Sequence, residues 1–431
     1  MGESRMNDKK RGLIWFGNDC RISDNNLLIR AHHEVDELIF VYLPYSKLTN
    51  SEDVHRPFVK SEHLENFELE SLSNLATSLG RHGHRLYTPH DFSHLCQIID
   101  TLQVNTLYRA FHPGMYEQEA EKAIAQTFPQ LTVCSAYTGS LFHHSQLPFT
   151  PEAYPATFTQ FRKRVEHLTI VKPLQEPARL PEPIVIDCNA IEPILTTEEA
   201  YGSFVGGEKA GHNHLSQYFS SQLPHSYKLV RNQLDGWDNS TKFSPWLASG
   251  NLSARQVWHN VIQFEREHGA NDSSYWIKFE LLWREFFHWY SAWHQEKLFH
   301  SGGIRKEPQL WDDDAATLEA WVNGETGFDI VDACMRQLKN TGFMSNRGRQ
   351  LVASCLIHEL GLDWRLGALY FEHNLIDYDV GSNWGNWQYI AGVGADSKPV
   401  RRFDLDKQTQ MYDPSRAFIN RWLNKEWQKC G

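Results

Sequence analysis

The sequence predicts an α/β domain with a doubly wound parallel sheet over residues 1–140 and an all-α domain over residues 196–431, joined by a proline-rich connector at 141–195. Three observations carry this. Short apolar runs alternate with helical-period stretches through the first 140 residues, the pattern of parallel strands linked by helices. Eight of the eighteen prolines fall within residues 148–193, where they remove donors and block regular structure. From about Thr196, glutamate and lysine mix with aromatics, β-branched alternation disappears, and fourteen of the fifteen tryptophans lie after residue 236.

The strands are read from Leu13–Phe16, Leu38–Leu43, His84–Tyr87, Thr106–Phe111 and Leu131–Cys134, each a run suited to burial on both faces. The clearest helix spans about Ser61 to His82, with Leu64, Phe67, Leu72, Leu75 and Leu79 near helical period. No G-x-G-x-x-G follows the first strand. Asn18-Asp19-Cys20-Arg21 stands there instead, which argues against a standard dinucleotide site in this domain.

With 431 residues, two domains are the natural expectation at roughly 100–200 residues each. Hydrophobic content of 41% supports a sizeable core and argues against disorder. No apolar run approaches the roughly 20 residues that span a bilayer, and the polar start is unlike a signal peptide, so a cytoplasmic, soluble protein is expected. Seven cysteines with no C-x-x-C pair disfavour a disulfide framework, a zinc site or an iron–sulfur cluster. His143-His144 and the Gly-His-Asn-His stretch ending at His214 lack acidic or cysteine partners at ligand spacing, so no metal is expected. Net charge is −11, yet residues 333–358 contain no acid and carry Arg336, Lys339, Arg347 and Arg349. That strip fits either capture of a phosphate-bearing ligand or a buried helix pair from which acids are excluded.

Four blocks carry chemistry. Ser240, Thr241, Lys242, Phe243 and Ser244 precede Pro245 and a helix start, offering hydroxyls, a lysine and backbone N–H groups either to a phosphate or to the helix as caps. In Trp276–Phe287, the residues Glu280, Trp283, Arg284 and Phe287 share one helical face, with an intrahelical Glu280–Arg284 pair as the plain reading. Gly342–Gln350 opens an amphipathic helix whose Asn346, Arg347, Arg349 and Gln350 carry planar amide and guanidinium groups suited to carbonyls and imides. Arginine at a helix N-terminus is electrostatically disfavoured, which points to a functional reason. The run Asp377–Tyr389 combines Asp377, Asp379 and Asn383 with the flat walls of Trp384, Trp387 and Tyr389, as a large planar ligand requires.

In this order and spacing the blocks resemble the photolyase–cryptochrome family, from Trp15-Phe16-Gly17-Asn18-Asp19 through Phe418-Ile-Asn-Arg-Trp422. The resemblance is strongest to its DASH cryptochrome branch, through Tyr227-Lys-Leu-Val-Arg-Asn232, Ser240–Trp246, Phe279–Arg284, Gly342–Gln350 and Gly385–Tyr389. It implies a photolyase-like fold with FAD in the helical domain, active when reduced and anionic. Tyr227 and Ser240–Ser244 would hold the diphosphate, Asp377 and Asp379 would contact ring and ribose, Arg349 would pair with Asp377, and Asn383 would sit beside the reactive flavin nitrogen.

The implied reaction is light-driven repair of cyclobutane pyrimidine dimers by electron transfer, a carbon–carbon lyase activity on a flipped-out lesion. Glu280 would bond the dimer's carbonyl edge, with a raised pKa; Asn346, Arg347 and Gln350 would line the same pocket. Trp283 and Tyr389 would stack on the thymines, with Arg231 and Arg347 also facing DNA. Trp387, Trp364 and Trp311 match the family's electron relay. Gln350 and Tyr389 stand where conventional dimer photolyases have methionine and tryptophan, a DASH trait linked to single-stranded DNA. Ser345 and Asn346 replace the histidine pair of (6-4) photolyases. Methenyltetrahydrofolate is the implied antenna, near Glu117 or Glu119. Gly17 and Cys20 depart from the family's arginine and leucine, which touches antenna or surface details. A monomer acting on damaged single-stranded DNA is expected; the rival reading is a blue-light receptor acting on a signalling partner, with little or no repair.

Overall fold

The computed structural model describes residues 9–44, 58–193, 202–305, 311–395 and 401–424. The onset of the helical domain at 196 and Cys430 lie outside these residues; the other six cysteines are free thiols.

The first half is a parallel sheet of β1 (Arg11–Phe16), β2 (Glu37–Tyr42), β3 (Leu86–Tyr87), β4 (Thr106–Ala110) and β5 (Thr132–Ala136), in the order β3-β2-β1-β4-β5. A short β6 (Glu182–Pro183) pairs with the start of β2. The order reverses direction between β1 and β4, which defines a doubly wound sheet. Side-chain alternation sorts the two faces. Ile14, Phe16, Leu38 and Phe40 pack with α1 (Asn26–Glu34) and α2 (Glu62–Gly80). Leu13, Trp15, Ile39 and Val41 pack with α3 (Phe92–Thr101) and α4 (Met115–Thr127). With both faces covered, the strands read as unbroken apolar runs. Ser61 caps α2, accepting from the Leu64 N–H at 3.3 Å.

The loop after β1 grips the helical half. Fully buried Arg21 donates to the carbonyls of Gly250 at 2.8 Å, Asp24 at 2.9 Å and Thr138 at 2.7 Å. Asp24 accepts from Arg255 Nε at 3.0 Å and Nη2 at 2.8 Å, and Asn251 donates to the Cys20 carbonyl at 3.0 Å. Gly250 has φ +73°, and a Cβ there would stand 2.0 Å from the Asn18 carbonyl oxygen, so only glycine serves. Asn18–Arg21 is therefore an interdomain lock.

Within the proline-rich stretch, expected to lie irregular over the surface, residues Phe158–Val165 form α5. Thr157 caps it, and Phe158, Phe161 and Val165 are buried against α10 (Asp272–His294). Proline density hid a period of only two turns. The adjoining segment is fixed by Glu285, fully buried on α10, which accepts from the backbone N–H of Leu141 at 2.8 Å and Phe142 at 3.3 Å, from Ser140, and from Trp289 Nε1 at 2.6 Å.

The helical half comprises α6 (Glu208–Phe219), α7 (Leu223–Val230), α8 (Ser244–Ala248), α9 (Ala254–His268), α10, α11 (Ala315–Asn323), α12 (Asp329–Thr341), α13 (Asn346–Ser354), α14 (Trp364–Asn374), α15 (Val380–Ala391), α16 (Leu405–Tyr412) and α17 (Ala417–Leu423). They surround one apolar core in which Trp246, Trp289, Trp321 and Trp364 are fully enclosed. A π-helical turn at Cys355–Glu359 extends α13, a feature that no residue pattern announced.

Candidate functional site

A cavity of about 1220 Å³ opens in the helical half, larger than the roughly 300–1,000 Å³ of an ordinary small-molecule site. The expected flavin and lesion residues line it, but Trp311, Trp364 and the antenna positions Glu117 and Glu119 do not, and Trp384, expected as a flat wall of the site, is instead buried against Trp364. Five separate stretches converge there: α7, the segment before α8, α10, α13 and α15.

The deep part is charged and enclosed. Arg349 Nη2 reaches both oxygens of Asp377, at 2.9 and 2.8 Å, and its Nε donates to the Met344 carbonyl at 2.9 Å. Asp379 caps α15, accepting from the Ser382 N–H at 2.7 Å. Burial opposes its ionisation, but Arg284 at 3.7 Å and the Ser382 bonds outweigh that and hold its carboxyl below the usual range. The Asn383 side chain donates to the Ala368 carbonyl at 3.0 Å, which fixes its amide plane.

The segment before α8 is shaped for an anion. Lys242 adopts φ +56°, and only 9% of it is exposed. Its ammonium donates to Ser240 Oγ at 3.0 Å and lies 5.1 Å from the Phe343 ring centre. Burial pushes its pKa down to about 8, with Asp235 pulling the other way. A buried lysine so depressed gains from a phosphate beside it. His214 bonds the Thr241 carbonyl at 2.8 Å, so this histidine, weighed from the sequence as a metal ligand, holds the cradle's backbone.

At the mouth the expected Glu280–Arg284 pair is replaced. Glu280 accepts from Arg231 Nη1 at 2.6 Å, while Arg284 donates to the carbonyls of Gly139 at 2.7 Å and Leu247 at 3.1 Å. Arg231 at the end of α7 reaches Glu280, and Arg284 reaches backbone carbonyls of Gly139 and of Leu247 in α8, so each residue finds a partner outside its own helix. Burial lifts the Glu280 carboxyl above its ordinary value, and Arg231 opposes the lift. Trp283 stacks face to face on Phe158 of α5 at 3.8 Å and 12°, so one of its faces is already taken. Tyr389 meets Trp283 edge-on at 6.1 Å, and the Arg401 guanidinium lies 4.3 Å from the Tyr389 ring centre. Arg347 stands 4.7 Å from the Tyr412 ring centre and donates to Asn232 at 3.3 Å; its Nε is buried with no partner.

The basic strip divides. Arg336 donates to the carbonyls of Gly324 and Leu423 and Lys339 bonds Asn323, so only Arg347 and Arg349 serve the cavity. Sequence reasoning missed Arg401, Phe403 and Gln337, which also line it. A buried glutamine beside the expected motif was the available signal for Gln337, whose Oε1 has no partner.

Trp387 forms part of the cavity wall, and Gly367 of α14 lies so close that a Cβ would stand 2.2 Å from its ring. Trp364 and Trp311 sit away from the cavity and both donate to the Ser301 carbonyl, at 3.0 and 3.4 Å. Of the two expected antenna positions, Glu117 turns inward and pairs with His112 at 3.4 Å, whereas Glu119 is exposed.

The donor set is chemically compatible with a flavin dinucleotide: a buried, depressed lysine among hydroxyls, an Arg–Asp pair, a fixed amide and an unsatisfied glutamine oxygen line one cavity. Fold and cavity together define a photolyase-type flavoprotein. Residues 12–182 match the DNA photolyase family model, and residues 276–428 match that of the FAD binding domain of DNA photolyase. A cryptochrome DASH of Vibrio parahaemolyticus is 48% identical, covering 97% of this chain and 94% of that one. The crystal structure of the Synechocystis cryptochrome superposes with a TM-score of 0.87 at 37% identity, over 97% of this chain and 89% of that one. A class III photolyase of Agrobacterium tumefaciens gives 0.80 at 27% identity, over 98% and 88%. The chain belongs to the photolyase–cryptochrome family, in its DASH branch. The family performs light-dependent DNA repair or photoreception. Among the described residues no helix is long and apolar enough to cross a membrane.

Proposed function

We propose that this protein repairs cyclobutane pyrimidine dimers in single-stranded DNA under light, as a deoxyribodipyrimidine photo-lyase. The observation that supports the reading is one cavity lined both by buried Lys242, Asp377 and Asn383, suited to a flavin dinucleotide, and by the less buried Glu280, Asn346, Arg347, Gln350, Trp283 and Tyr389.

Reduced FAD, when bound, supplies the light-driven electron that opens the dimer's cyclobutane ring. The chain does the rest. Tyr227, Ser240, Thr241, Lys242, Phe243 and Ser244 bind the diphosphate side; Arg349, Asp377, Asp379 and Asn383 orient the ring and ribose. The Arg349 cation and the Asn383 amide favour a negatively charged ring. At the mouth, Glu280, whose ionisation burial opposes and Arg231 favours, bonds the dimer's carbonyl edge. Asn346 and Gln350 offer amides to the remaining carbonyls and imides. Tyr389 and Trp283 hold the flipped bases, and Arg231 and Arg347 bind the flanking strand.

Energetics supports a preference for single strands, since a base already unpaired spares the few kcal/mol of extrusion; a chain of charge −11 should bind DNA modestly and salt-sensitively. Trp387, Trp364 and Trp311 reduce oxidised flavin from the surface. A methenyltetrahydrofolate antenna near Glu117 or Glu119 belongs to the same reading, as does the division into an α/β unit (1–140), a connector (141–195) and a helical unit (196–431). The protein acts as an intracellular monomer.

The test is illumination of reduced, FAD-loaded protein with thymine-dimer oligonucleotides, single- and double-stranded. Faster repair of the single strand is expected. An untouched dimer in both would favour the receptor reading, in which flavin reduction drives a signalling partner.

A further inference from the structure

Trp364 has a second aromatic neighbour that the surface relay does not use. Trp384, 4% exposed, meets it edge-on with ring centres 5.7 Å apart and planes at 80°. The Trp384 indole N–H points at Glu372 Oε2 at 3.2 Å and at the Tyr378 hydroxyl at 3.3 Å. The Tyr378 hydroxyl donates to the same Glu372 oxygen at 2.8 Å. One carboxylate oxygen thus accepts from the two kinds of side chain that lose a single electron most readily; Glu372 and Tyr378 are half-buried, and buried Trp384 links them to Trp364.

Removing an electron from an indole or a phenol makes its proton far more acidic, so a carboxylate in contact captures that proton as the electron leaves. Burial, and then Glu372, hold the Tyr378 phenol well above its ordinary pKa, so the proton stays on oxygen until oxidation releases it.

We propose that Trp384, Tyr378 and Glu372 form a proton-coupled branch of the tryptophan relay, ending in a neutral Tyr378 radical. This rests on the proposed reading that the relay feeds a flavin. The electron taken from Trp387 by a photoexcited oxidised flavin is replaced from Trp364, and Trp364 is refilled from Trp384, leaving a Trp384 radical cation. Tyr378 then gives one electron to Trp384 and its phenolic proton to Glu372. The products are neutral Trp384, a neutral tyrosyl radical and a protonated Glu372, and the total charge of the three groups is unchanged. Return of the electron then requires return of the proton, which lengthens the life of the charge-separated state.

The experiment uses the full-length, FAD-loaded protein with oxidised flavin and ring-deuterated tyrosine, flashed with blue light and followed by electron paramagnetic resonance and transient absorption. The branch requires a tyrosyl signal that narrows on deuteration. That signal should vanish in Tyr378→Phe with tryptophanyl radical remaining, and in Glu372→Gln, where a bond acceptor persists but the base is gone, with a longer-lived tryptophanyl radical. Flavin photoreduction accompanied by tryptophanyl signals alone in the labelled, unsubstituted protein would overturn the branch and leave the flavin reading intact. So would a tyrosyl signal that survives Tyr378→Phe. A protein that binds no flavin, or whose flavin is never photoreduced, would remove both.

Discussion

Arg349 places one guanidinium nitrogen against both carboxylate oxygens of Asp377, at 2.9 and 2.8 Å, and Asp377 is almost wholly enclosed. The pair joins α13 to the turn before α15 and so closes the deep zone. Removing one partner of such a pair strands the other charge, at a cost of about 3–5 kcal/mol. Arg349→Ala should therefore lower stability by that order in urea unfolding and release flavin on gel filtration. An Arg349→Ala protein as stable as its parent, with full flavin content, would show that the pair does not organise the site.

On the proposed reading, Lys242 should make flavin binding depend on pH. Its folded pKa of about 8 lies below its ordinary 10.5, so between these values the unfolded chain binds more protons and flavin-free stability rises with pH. The full cost, about 3 kcal/mol, is present below pH 8. Bound diphosphate favours the charged ammonium, so FAD affinity should weaken above pH 8 while flavin-free stability improves. Lys242→Met should flatten both profiles; unchanged profiles in that variant would assign them to another group.

Glu280→Ala should keep flavin and fold but slow repair by roughly 10²–10³-fold, the range for loss of one preorganised donor. Single-turnover repair after a calibrated flash reads this directly. Normal turnover would remove Glu280 from the lesion contacts.

Trp387→Phe should block photoreduction of oxidised flavin while sparing repair by chemically reduced protein. Gly367→Ala is the subtler test. Its Cβ would stand 2.2 Å from the Trp387 ring, so the indole must shift, at about 1–3 kcal/mol of overpacking. Photoreduction should slow with Trp387 still present. A normal rate in Trp387→Phe would require another donor to the flavin.

Much of this was legible in the sequence because the relevant residues are close together along it. The five strands showed as apolar runs, and the Asp377–Tyr389 and Gly342–Gln350 blocks each form one stretch of cavity wall. What the sequence concealed involves partners far apart in the chain. Glu280 was matched with Arg284 four residues on, yet its partner is Arg231, carried by the end of α7. Trp283 was read as an open stacking platform, yet α5, hidden among prolines, covers one face with Phe158. Arg347 at a helix N-terminus looked electrostatically misplaced; it rests over Tyr412 from α16, which no local pattern could supply.

The account stands on the deep zone of the cavity holding a flavin dinucleotide. Flavin-stripped protein titrated with FAD and followed by visible absorption should take up one FAD per chain, and Lys242→Met or Arg349→Ala should weaken that uptake. Protein that stays colourless when saturated with FAD would contradict the account.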